Sequence, residues 1–398
     1  MMEKIAILIL VALECYVQQT VPHPPDLVLP GDAYLDFPGL AKKYDLDCAI
    51  YDVTTEDGYI LKLFHIPGNK SSPVLVIHGV LDSADSFILR GNSSLTAILH
   101  KNGYDVWVGN ARGSRYGRRH ETLNPDADKS FWSFSFHEIG YYDLPAMIDF
   151  VLDKTKMVSL SAIGHSQGNQ VFYVLGAARP DYNKKIRVLI ALAPICYLHN
   201  VMPPVNDVVA LGPIINELLL LVGREEILGD TGTVRKIIDL FCLEGPQGYK
   251  MCVEGIFFPL AGPDPAEFEP EFARIVLNHY PTGTSRKNAK HLLQVAQKRE
   301  FLYYDYGTIE NLAKYNSIVP PKYDLGKVTM KVALISGKND RLSTLKDVKI
   351  LRKQLPNLVD YKVLDYPYFN HMDFIWAKHM RLHLFPHVIK ILRTYGQG

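Results

Sequence analysis

Short, fully apolar runs alternate with helical patterns along most of this chain, and no other feature constrains its fold as strongly. Two alternating runs flank the turn Glu56-Asp57-Gly58, which indicates a β-hairpin. Solid apolar runs follow, among them residues 74–77 and 104–108, as is typical of parallel strands buried on both faces. Because helical patterns separate these runs, the sequence predicts an α/β fold with a mostly parallel central sheet.

The alternation is interrupted once, between Pro194 and Thr329. A crossover between parallel strands needs only about a dozen residues and a helix, so this stretch must have a structure of its own. It contains several helical patterns, and we expect a helical cap over the carboxyl end of the sheet. The predicted division is a signal peptide at residues 1–19, a lead-in segment at 20–50, the first part of the core at 51–196, a cap or lid insertion at 197–325 and the second part of the core at 326–398.

The amino terminus has the pattern of an export signal. A short charged lead precedes an aliphatic run at residues 5–13, which suits a signal peptide and is too short to span a bilayer. A buried N-terminal helix is the alternative. The longest later apolar stretch, 208–222, is broken by Gly212 and Pro213, so we expect no transmembrane segment in the mature chain. The net charge of +1 over 398 residues does not indicate nucleic acid as a partner.

Export makes disulfide bonds possible. Cys242 and Cys252 lie close together around a stretch with two glycines and a proline, and this spacing favours a small disulfide-closed loop. Cys48 and Cys196 are then free apolar residues, and burial of all four without pairing is the alternative. No cysteine or histidine spacing indicates zinc, and we expect neither a metal nor a cofactor.

Two sequons for N-glycosylation are present. They begin at Asn69 and Asn92, and each is used only if the chain is exported. We predict glycans at both positions.

Residues 164–168 read Gly-His-Ser-Gln-Gly, at the junction of an apolar run and a helical pattern. In this context Gly-X-Ser-X-Gly forms a nucleophile elbow, a sharp turn that exposes the serine above the sheet. Gly164 and Gly168 would keep the close approach to neighbouring elements open. Ser166 would lie at a helix N-terminus, which favours negative charge. We predict that Ser166 is a nucleophile; an ordinary strand-to-helix turn is the alternative.

A serine nucleophile needs a base, and in this arrangement an acid and then a histidine follow it at later strand ends. His371 follows the last strand pattern and precedes a helix. Asp340 ends the strand pattern before it and would fix the tautomer of His371. Asp365 lies within or at the end of the last strand, and Asp373 follows His371 too closely to orient it.

Acyl transfer also needs hydrogen-bond donors for the oxyanion. We expect one from the backbone N–H of Gln167, the residue after the nucleophile. The second would come from Val80, because His78-Gly79 allows a sharp turn after an early strand. A simple strand-end turn is the alternative.

Several stretches together carry a resemblance to a known family: "VIHGVLDS", "GNARGSRYGRRH", "GHSQGN", "GKNDRL" and "FNHMDFIWA". With these, the chain resembles the acid lipase family, which includes gastric and lysosomal acid lipases. The resemblance extends from about Tyr51 to the C-terminus. It implies an α/β-hydrolase fold with a large helical cap or lid and hydrolysis of neutral lipid esters without a cofactor. It also implies a catalytic triad of Ser166, Asp340 and His371. The two oxyanion donors would be Val80 and Gln167, and the cap disulfide would join Cys242 and Cys252.

Two departures from the family pattern and two open alternatives remain. Val80 stands where leucine is usual, and Gly117 stands where serine is expected, so we expect the loop around Gly117 to be looser. The arginines of residues 109–120 suggest either an anion site or, as we prefer, a solvated loop held by ion pairs. The apolar stretch 214–223 is either a lid that contacts lipid or a buried cap helix.

The sequence therefore predicts a secreted or lysosomal carboxylic ester hydrolase that acts on triacylglycerols or sterol esters at a lipid–water interface. A short-chain esterase or acyltransferase is one alternative. A non-catalytic lipid-binding protein on the same fold is another. The sequence leaves the oligomeric state open.

Overall fold

A central β-sheet organises the fold. The computed structural model describes residues 29–229, 232–243 and 245–396, so the predicted signal peptide lies outside the described residues. The strands have the bounds β1 Ala49–Thr54, β2 Ile60–Ile66, β3 Asn69–Ile77, β4 Tyr104–Gly109, β5 Leu160–His165, β6 Ile186–Leu192, β7 Glu226–Ile227, β8 Thr284–Ser285, β9 Val332–Ser336 and β10 Leu358–Val363. Eight of them form one sheet in the order β1-β2-β4-β3-β5-β6-β9-β10.

The sheet is mostly parallel, as predicted. From β4 to β10 each neighbouring pair is parallel, whereas β1 pairs antiparallel with β2, and β2 antiparallel with β4. The predicted hairpin joins β1 and β2, with Val53 opposite Leu61. All six residues of β4 and of β5 are buried, as expected of strands covered on both faces.

Helices cover both faces of the sheet. The longer ones are α1 Phe37–Lys43, α2 Leu95–Lys101, α3 Leu144–Thr155, α4 Gln167–Ala178, α5 Val205–Leu221, α6 Thr233–Phe241, α7 Pro270–His279, α8 Arg286–Lys298, α9 Thr308–Tyr315, α10 Leu345–Arg352 and α11 Phe385–Tyr395. Shorter helical segments lie at Gly31–Tyr34, Ala84–Phe87, Gly91–Ser93, Lys129–Trp132, Phe136–Glu138, Ile139–Asp143, Pro180–Lys185, Gly245–Gly248, Tyr249–Phe257, Phe258–Ala261, Leu325–Lys327, Asp373–Trp376 and Met380–His383.

Two apolar cores lie on opposite faces of the sheet. Val74 and Val76 of β3 belong to the core beneath α1, α2 and α11. Leu75 and Ile77 of the same strand belong to the core beneath α3, α4 and α10. Successive side chains of a strand point to opposite faces, so a run of consecutive apolar residues supplies both cores. This explains why residues 74–77 form an apolar run without polar interruptions.

The chain between β6 and β9 forms a helical insertion, α5 to α9, with the two-stranded ribbon β7–β8. Helices were predicted at the positions of α5, α6 and α8. The insertion contacts the loops that follow β3, β5, β9 and β10: Thr282 N–H donates to the Leu81 carbonyl, and His371 N–H to the Ala261 carbonyl. It therefore covers the carboxyl end of the sheet. The domain boundaries given above stay a prediction.

The cysteines pair as the sequence favoured. Cys242 and Cys252 form a disulfide bond within the insertion, and Cys48 and Cys196 are free. Burial raises the pKa of the Cys48 thiol to about 11, so this thiol is protonated at neutral pH. In the part of the chain that the structure describes, no helix combines the length and apolar character that crossing a bilayer requires.

Ion pairs hold the loop that follows β4, as expected, but the loop is not solvated throughout. Arg112 is buried, with its guanidinium between the carboxylates of Asp57 and Asp143 and 3.9 Å above the ring centre of Tyr59. The loop is also tight rather than loose: a Cβ on Gly117 would lie 2.2 Å from the Ala111 carbonyl oxygen. A serine at position 117 would force the backbone apart, which corrects the expected looseness.

Candidate active site

Ser166 lies on a sharp turn between β5 and α4. Its φ of +55° and ψ of −121° are strained for a residue with a side chain. The neighbouring glycines allow this turn: a Cβ on Gly164 would lie 2.8 Å from Gly168, and one on Gly168 would lie 2.4 Å from the Ile77 carbonyl oxygen. The sequence thus forms the predicted elbow, with Ser166 at the carboxyl edge of the sheet.

The three residues predicted as a triad meet at this edge. His371 Nε2 lies 2.8 Å from Ser166 Oγ, and His371 Nδ1 lies 2.9 Å from Asp340 Oδ2. All three side chains are buried. Ser166, Asp340 and His371 come from the ends of β5, β9 and β10, so the parallel order of the strands brings them together.

Asp340 is also held by its own loop. Its Oδ1 accepts hydrogen bonds from the N–H groups of Leu342 and Ser343, at 2.9 and 2.7 Å. The two alternative acids lie elsewhere: Asp365 is exposed and pairs with Lys362, and Asp373 accepts the N–H of Asn370 instead of contacting the His371 ring. The geometry therefore favours Asp340 as the partner of His371.

The turn after β3 places Val80 beside the serine. A Cβ on Gly79 would lie 3.1 Å from the Ser166 Cβ, so Gly79 allows this approach. Val80 and Gln167 line a small cavity of about 20 Å³. Within the described ranges, neither Val80 N–H nor Gln167 N–H has a hydrogen-bond acceptor. Both donors are thus available to a ligand atom in that cavity.

His78 holds the turn in place. Its Nδ1 lies 2.8 Å from the Gly79 carbonyl oxygen, and the Ala111 N–H donates to its Nε2 at 3.1 Å. Burial lowers the pKa of His78 to about 4, so the ring is neutral near neutral pH and can donate through one nitrogen and accept through the other. A sequence pattern that shows only His-Gly cannot reveal this role.

Two further contacts at the site were not predicted. The side-chain amides of Gln167 and Asn288 hydrogen-bond reciprocally at 3.1 and 3.2 Å, and so connect the elbow to α8 of the insertion. His165 Nε2 lies 2.9 Å from the His371 carbonyl oxygen. This contact connects the elbow to the histidine loop, residues 364–372 between β10 and the next helix. Asn288 lies within the stretch "HYPTGTSRKNAKHLLQ", which resembles the cap of the acid lipase family, and no other feature of the sequence indicates this residue.

The stretch 214–223 belongs mainly to α5 and is only partly buried. Leu218, Leu220, Leu221 and Val222 are exposed, whereas Leu219 packs inward. A helix that displays so many adjacent apolar side chains is typical of a surface that contacts another apolar phase. The reading as a fully buried cap helix is therefore wrong.

The two sequon asparagines lie on the surface. Asn69 begins β3, and Asn92 lies in the short helical turn Gly91–Ser93; both side chains are exposed. Glycosylation at Asn69 and Asn92 stays a prediction.

Comparisons with known proteins identify the family of this chain. Residues 37–91 match the model of the "partial alpha/beta-hydrolase lipase region", and residues 72–214 match that of the "alpha/beta hydrolase fold". Lipase 1 of Drosophila melanogaster is 37% identical, with 92% of this chain and 82% of that protein covered. Gastric triacylglycerol lipase of Homo sapiens is 34% identical, with 82% and 83% covered.

A solved structure shares the fold. A soluble variant of monoglyceride lipase from Saccharomyces cerevisiae superposes with a TM-score of 0.53 at 16% identity, over 94% of this chain and 98% of that one. This likeness shows the fold, and the identity of the relatives over most of their length shows the family. The chain belongs to the acid lipase family, the α/β-hydrolase lipases that include gastric triacylglycerol lipase.

Proposed function

We propose that this chain hydrolyses esters of neutral lipids, triacylglycerols or sterol esters, through an acyl-enzyme on Ser166. One observation carries the proposal: His371 lies in hydrogen-bond contact with both Ser166 Oγ and Asp340. A serine hydroxyl becomes a nucleophile when an adjacent base takes its proton, and the base acts when a third group holds it in the correct tautomer.

The chemistry runs in two halves. In the first, Ser166 Oγ attacks the ester carbonyl while His371 Nε2 takes the hydroxyl proton. His371 then gives this proton to the departing alkoxide, and an acyl-enzyme remains. In the second half, water attacks the acyl carbon while His371 takes its proton. His371 then returns this proton to Ser166 Oγ as the bond to the acyl carbon breaks, and the fatty acid leaves. Asp340 accepts the Nδ1–H of His371 and stabilises the imidazolium that forms in each half.

The oxyanion of both tetrahedral intermediates is expected to lie in the small cavity beside Ser166. Val80 and Gln167 would donate their backbone N–H groups to it. The N-terminus of α4, which begins at Gln167, favours negative charge at the same place. A backbone donor does not depend on the side chain, so valine in place of the family's usual leucine leaves this role unchanged.

We also propose that the enzyme works at a lipid–water interface and is secreted or delivered to lysosomes. The exposed apolar side chains of α5 support contact with lipid. The export pattern at residues 5–13 and the relatives' family support the destination.

The test compares hydrolysis of an emulsified long-chain triacylglycerol or sterol ester with hydrolysis of a soluble short-chain ester. We expect activity on the emulsion. In the double variant Leu221→Ser, Val222→Ser we expect the emulsion rate to fall by about tenfold, because less apolar area contacts lipid, while the soluble rate is unchanged. The matched control is Ile309→Ser, Leu312→Ser on α9, which removes two other exposed apolar side chains and leaves both rates unchanged.

Each alternative predicts a different result. Hydrolysis of soluble short esters alone would favour a short-chain esterase over a lipase. Lipid binding without hydrolysis of any ester would favour a non-catalytic lipid-binding protein. Transfer of the acyl group to an alcohol in preference to water would favour an acyltransferase.

A further inference from the structure

Two buried acidic side chains lie against each other beside the catalytic histidine. Asp264 comes from the insertion, directly after the short helix Phe258–Ala261. Asp373 begins the short helix that follows His371. Asp264 is 2% exposed and Asp373 is 3% exposed, and the two carboxyl groups are near enough to interact, which favours the protonated form of Asp373 and the ionised form of Asp264 if a hydrogen bond joins them. Two ionised carboxylates cannot form such a bond, because both are acceptors only.

The other hydrogen bonds of the pair indicate where the shared proton lies. Asp264 Oδ1 accepts the hydroxyl of Tyr366 at 3.1 Å, and the Ala266 N–H lies near the same carboxyl group. Asp264 Oδ2 is buried, and no N–H or O–H donor among the described residues reaches it with hydrogen-bond geometry. A proton on Asp373 supplies the missing donor. Asp373 then keeps its other oxygen, Oδ2, for the Asn370 N–H at 2.7 Å.

The pair lies on a junction between the insertion and the histidine loop. His371 N–H donates to the Ala261 carbonyl, and the Asn370 side chain donates to the Gly262 carbonyl at 2.8 Å. Asn370 is in turn held by Asp373. The insertion thus contacts the chain before His371, at His371 itself and, through the Asp264–Asp373 contact, after it.

The charged groups around the junction make a second negative charge unfavourable. Glu267 is a third buried carboxylate, which pairs with His379 at 2.8 Å. The Arg90 guanidinium bonds the Glu267 carbonyl and pairs with Glu269 at 2.8 Å, and Lys378 lies 3.4 Å from the same carboxylate. The Arg341 guanidinium donates to the Pro259 carbonyl at 3.0 Å. His383 stacks on the Tyr366 ring. Burial, followed by the nearby Asp264 and Glu267 carboxylates, raises the pKa of Asp373 well above its usual range.

We propose that Asp373 is a positioning residue for His371, which as a carboxylic acid donates a hydrogen bond to the Asp264 carboxylate and fastens the histidine loop to the insertion. This inference rests on the proposed function, since it assigns Asp373 a role through His371. When Asp373 loses its proton, the bond becomes a contact between two carboxylates. The loop then separates from the insertion, and His371 moves away from Ser166 Oγ.

The consequence is a bell-shaped dependence of kcat on pH. On the acid side, kcat rises with pH because His371 must be neutral to act as a base. On the alkaline side, kcat falls as the shared proton is lost, because misplacement of a catalytic group by about 1 Å is enough to lower a rate by about 100-fold. Because the displaced group is the base rather than a substrate-binding surface, we expect KM to change less than kcat.

The variant Asp373→Asn tests this directly. Asparagine has the same shape, can accept the Asn370 N–H through Oδ1 and can donate an amide N–H to Asp264, but it does not titrate. With the full-length protein and a soluble ester, we expect the alkaline limb of kcat to move up by about one pH unit or more, with kcat near wild type at acidic pH. The matched control, Asp365→Asn, removes an exposed carboxylate from the segment between β10 and His371 and should leave the alkaline limb of kcat unchanged.

Two results would overturn the proposal. One is an alkaline limb in Asp373→Asn that coincides with that of the wild type. The other is a folded Asp373→Asn enzyme with low kcat at every pH, which would mean that the site needs the carboxylate itself.

A stability measurement separates this inference from the proposed function. A carboxyl group whose pKa is raised in the folded state stabilises the fold below its ordinary pKa, and this stability is lost as pH rises toward the folded value. In a Ser166→Ala background we therefore expect Asp373 to lower Tm progressively as pH rises above about 4, the ordinary carboxyl pKa, and we expect Ser166→Ala, Asp373→Asn to lack this decrease. Equal slopes would contradict the inference, whether or not the chain hydrolyses esters.

Discussion

At the residue scale, the catalytic candidates could be predicted from the sequence, but the buried residues that hold the surrounding loops in place could not. Ser166, Asp340 and His371 each follow a recognisable strand pattern, and a parallel sheet must bring such strand ends to one edge. Arg112 gives no such signal, because its burial depends on Asp57 and Asp143, which lie about 55 and 31 residues away in sequence. A local pattern of arginines therefore resembled a solvated loop.

The buried Arg112 should contribute strongly to stability. In Arg112→Ala we expect the free energy of unfolding to fall by about 3–5 kcal/mol, because Asp143 would be left buried without its partner. Denaturant unfolding measures this change. The matched control is Arg119→Ala in the same loop, whose pair with Asp52 is half exposed and whose loss should cost about 1 kcal/mol or less. Equal losses of unfolding free energy in the two variants would show that the buried pair stabilises the fold no more than the exposed one.

At the scale of elements, the order and type of strands and helices followed from apolar periodicity, but the boundaries and contacts did not. The pattern of residues 380–396 predicts one closing helix, whereas the structure divides it into Met380–His383 and α11, with Pro386 in the first turn of α11. Proline cannot donate the backbone hydrogen bond of a helix interior and so favours a new start. Helix α8 was likewise predicted, but not that Asn288 at its N-terminus contacts Gln167.

That contact makes α8 a support of the proposed oxyanion site. In Asn288→Ala we expect kcat on a soluble ester to fall by about tenfold with little change in KM. Gln167 loses the side-chain bond that fixes it, and its backbone N–H is then displaced from the oxyanion. The matched control is Gln294→Ala on the same helix, which loses a reciprocal bond to Asp305 far from Ser166. This control should lose stability and keep kcat. A wild-type kcat in Asn288→Ala would show that α8 does not support the oxyanion site.

At the scale of the whole molecule, the sequence predicted that an insertion exists and where it lies. The missing alternation of strand and helix after β6 required a separate structure, and the parallel sheet left its carboxyl end as the place that this structure covers. How the insertion holds the site could not be predicted. Its contacts join residues far apart in sequence, such as Gln167 with Asn288 and Asp264 with Asp373.

The central claim is that Ser166 carries the acyl group during ester hydrolysis. The most direct measurement quenches the full-length enzyme in acid during turnover of a slowly hydrolysed ester and locates the acyl mass by peptide mass spectrometry. We predict the acyl group on the peptide that contains Ser166, and a kcat lower by about 10⁴-fold or more in Ser166→Ala. Ser161→Ala, which removes a buried serine from the same strand, should be acylated like the wild type. An acyl group on any other residue, or hydrolysis retained in Ser166→Ala, would contradict the account.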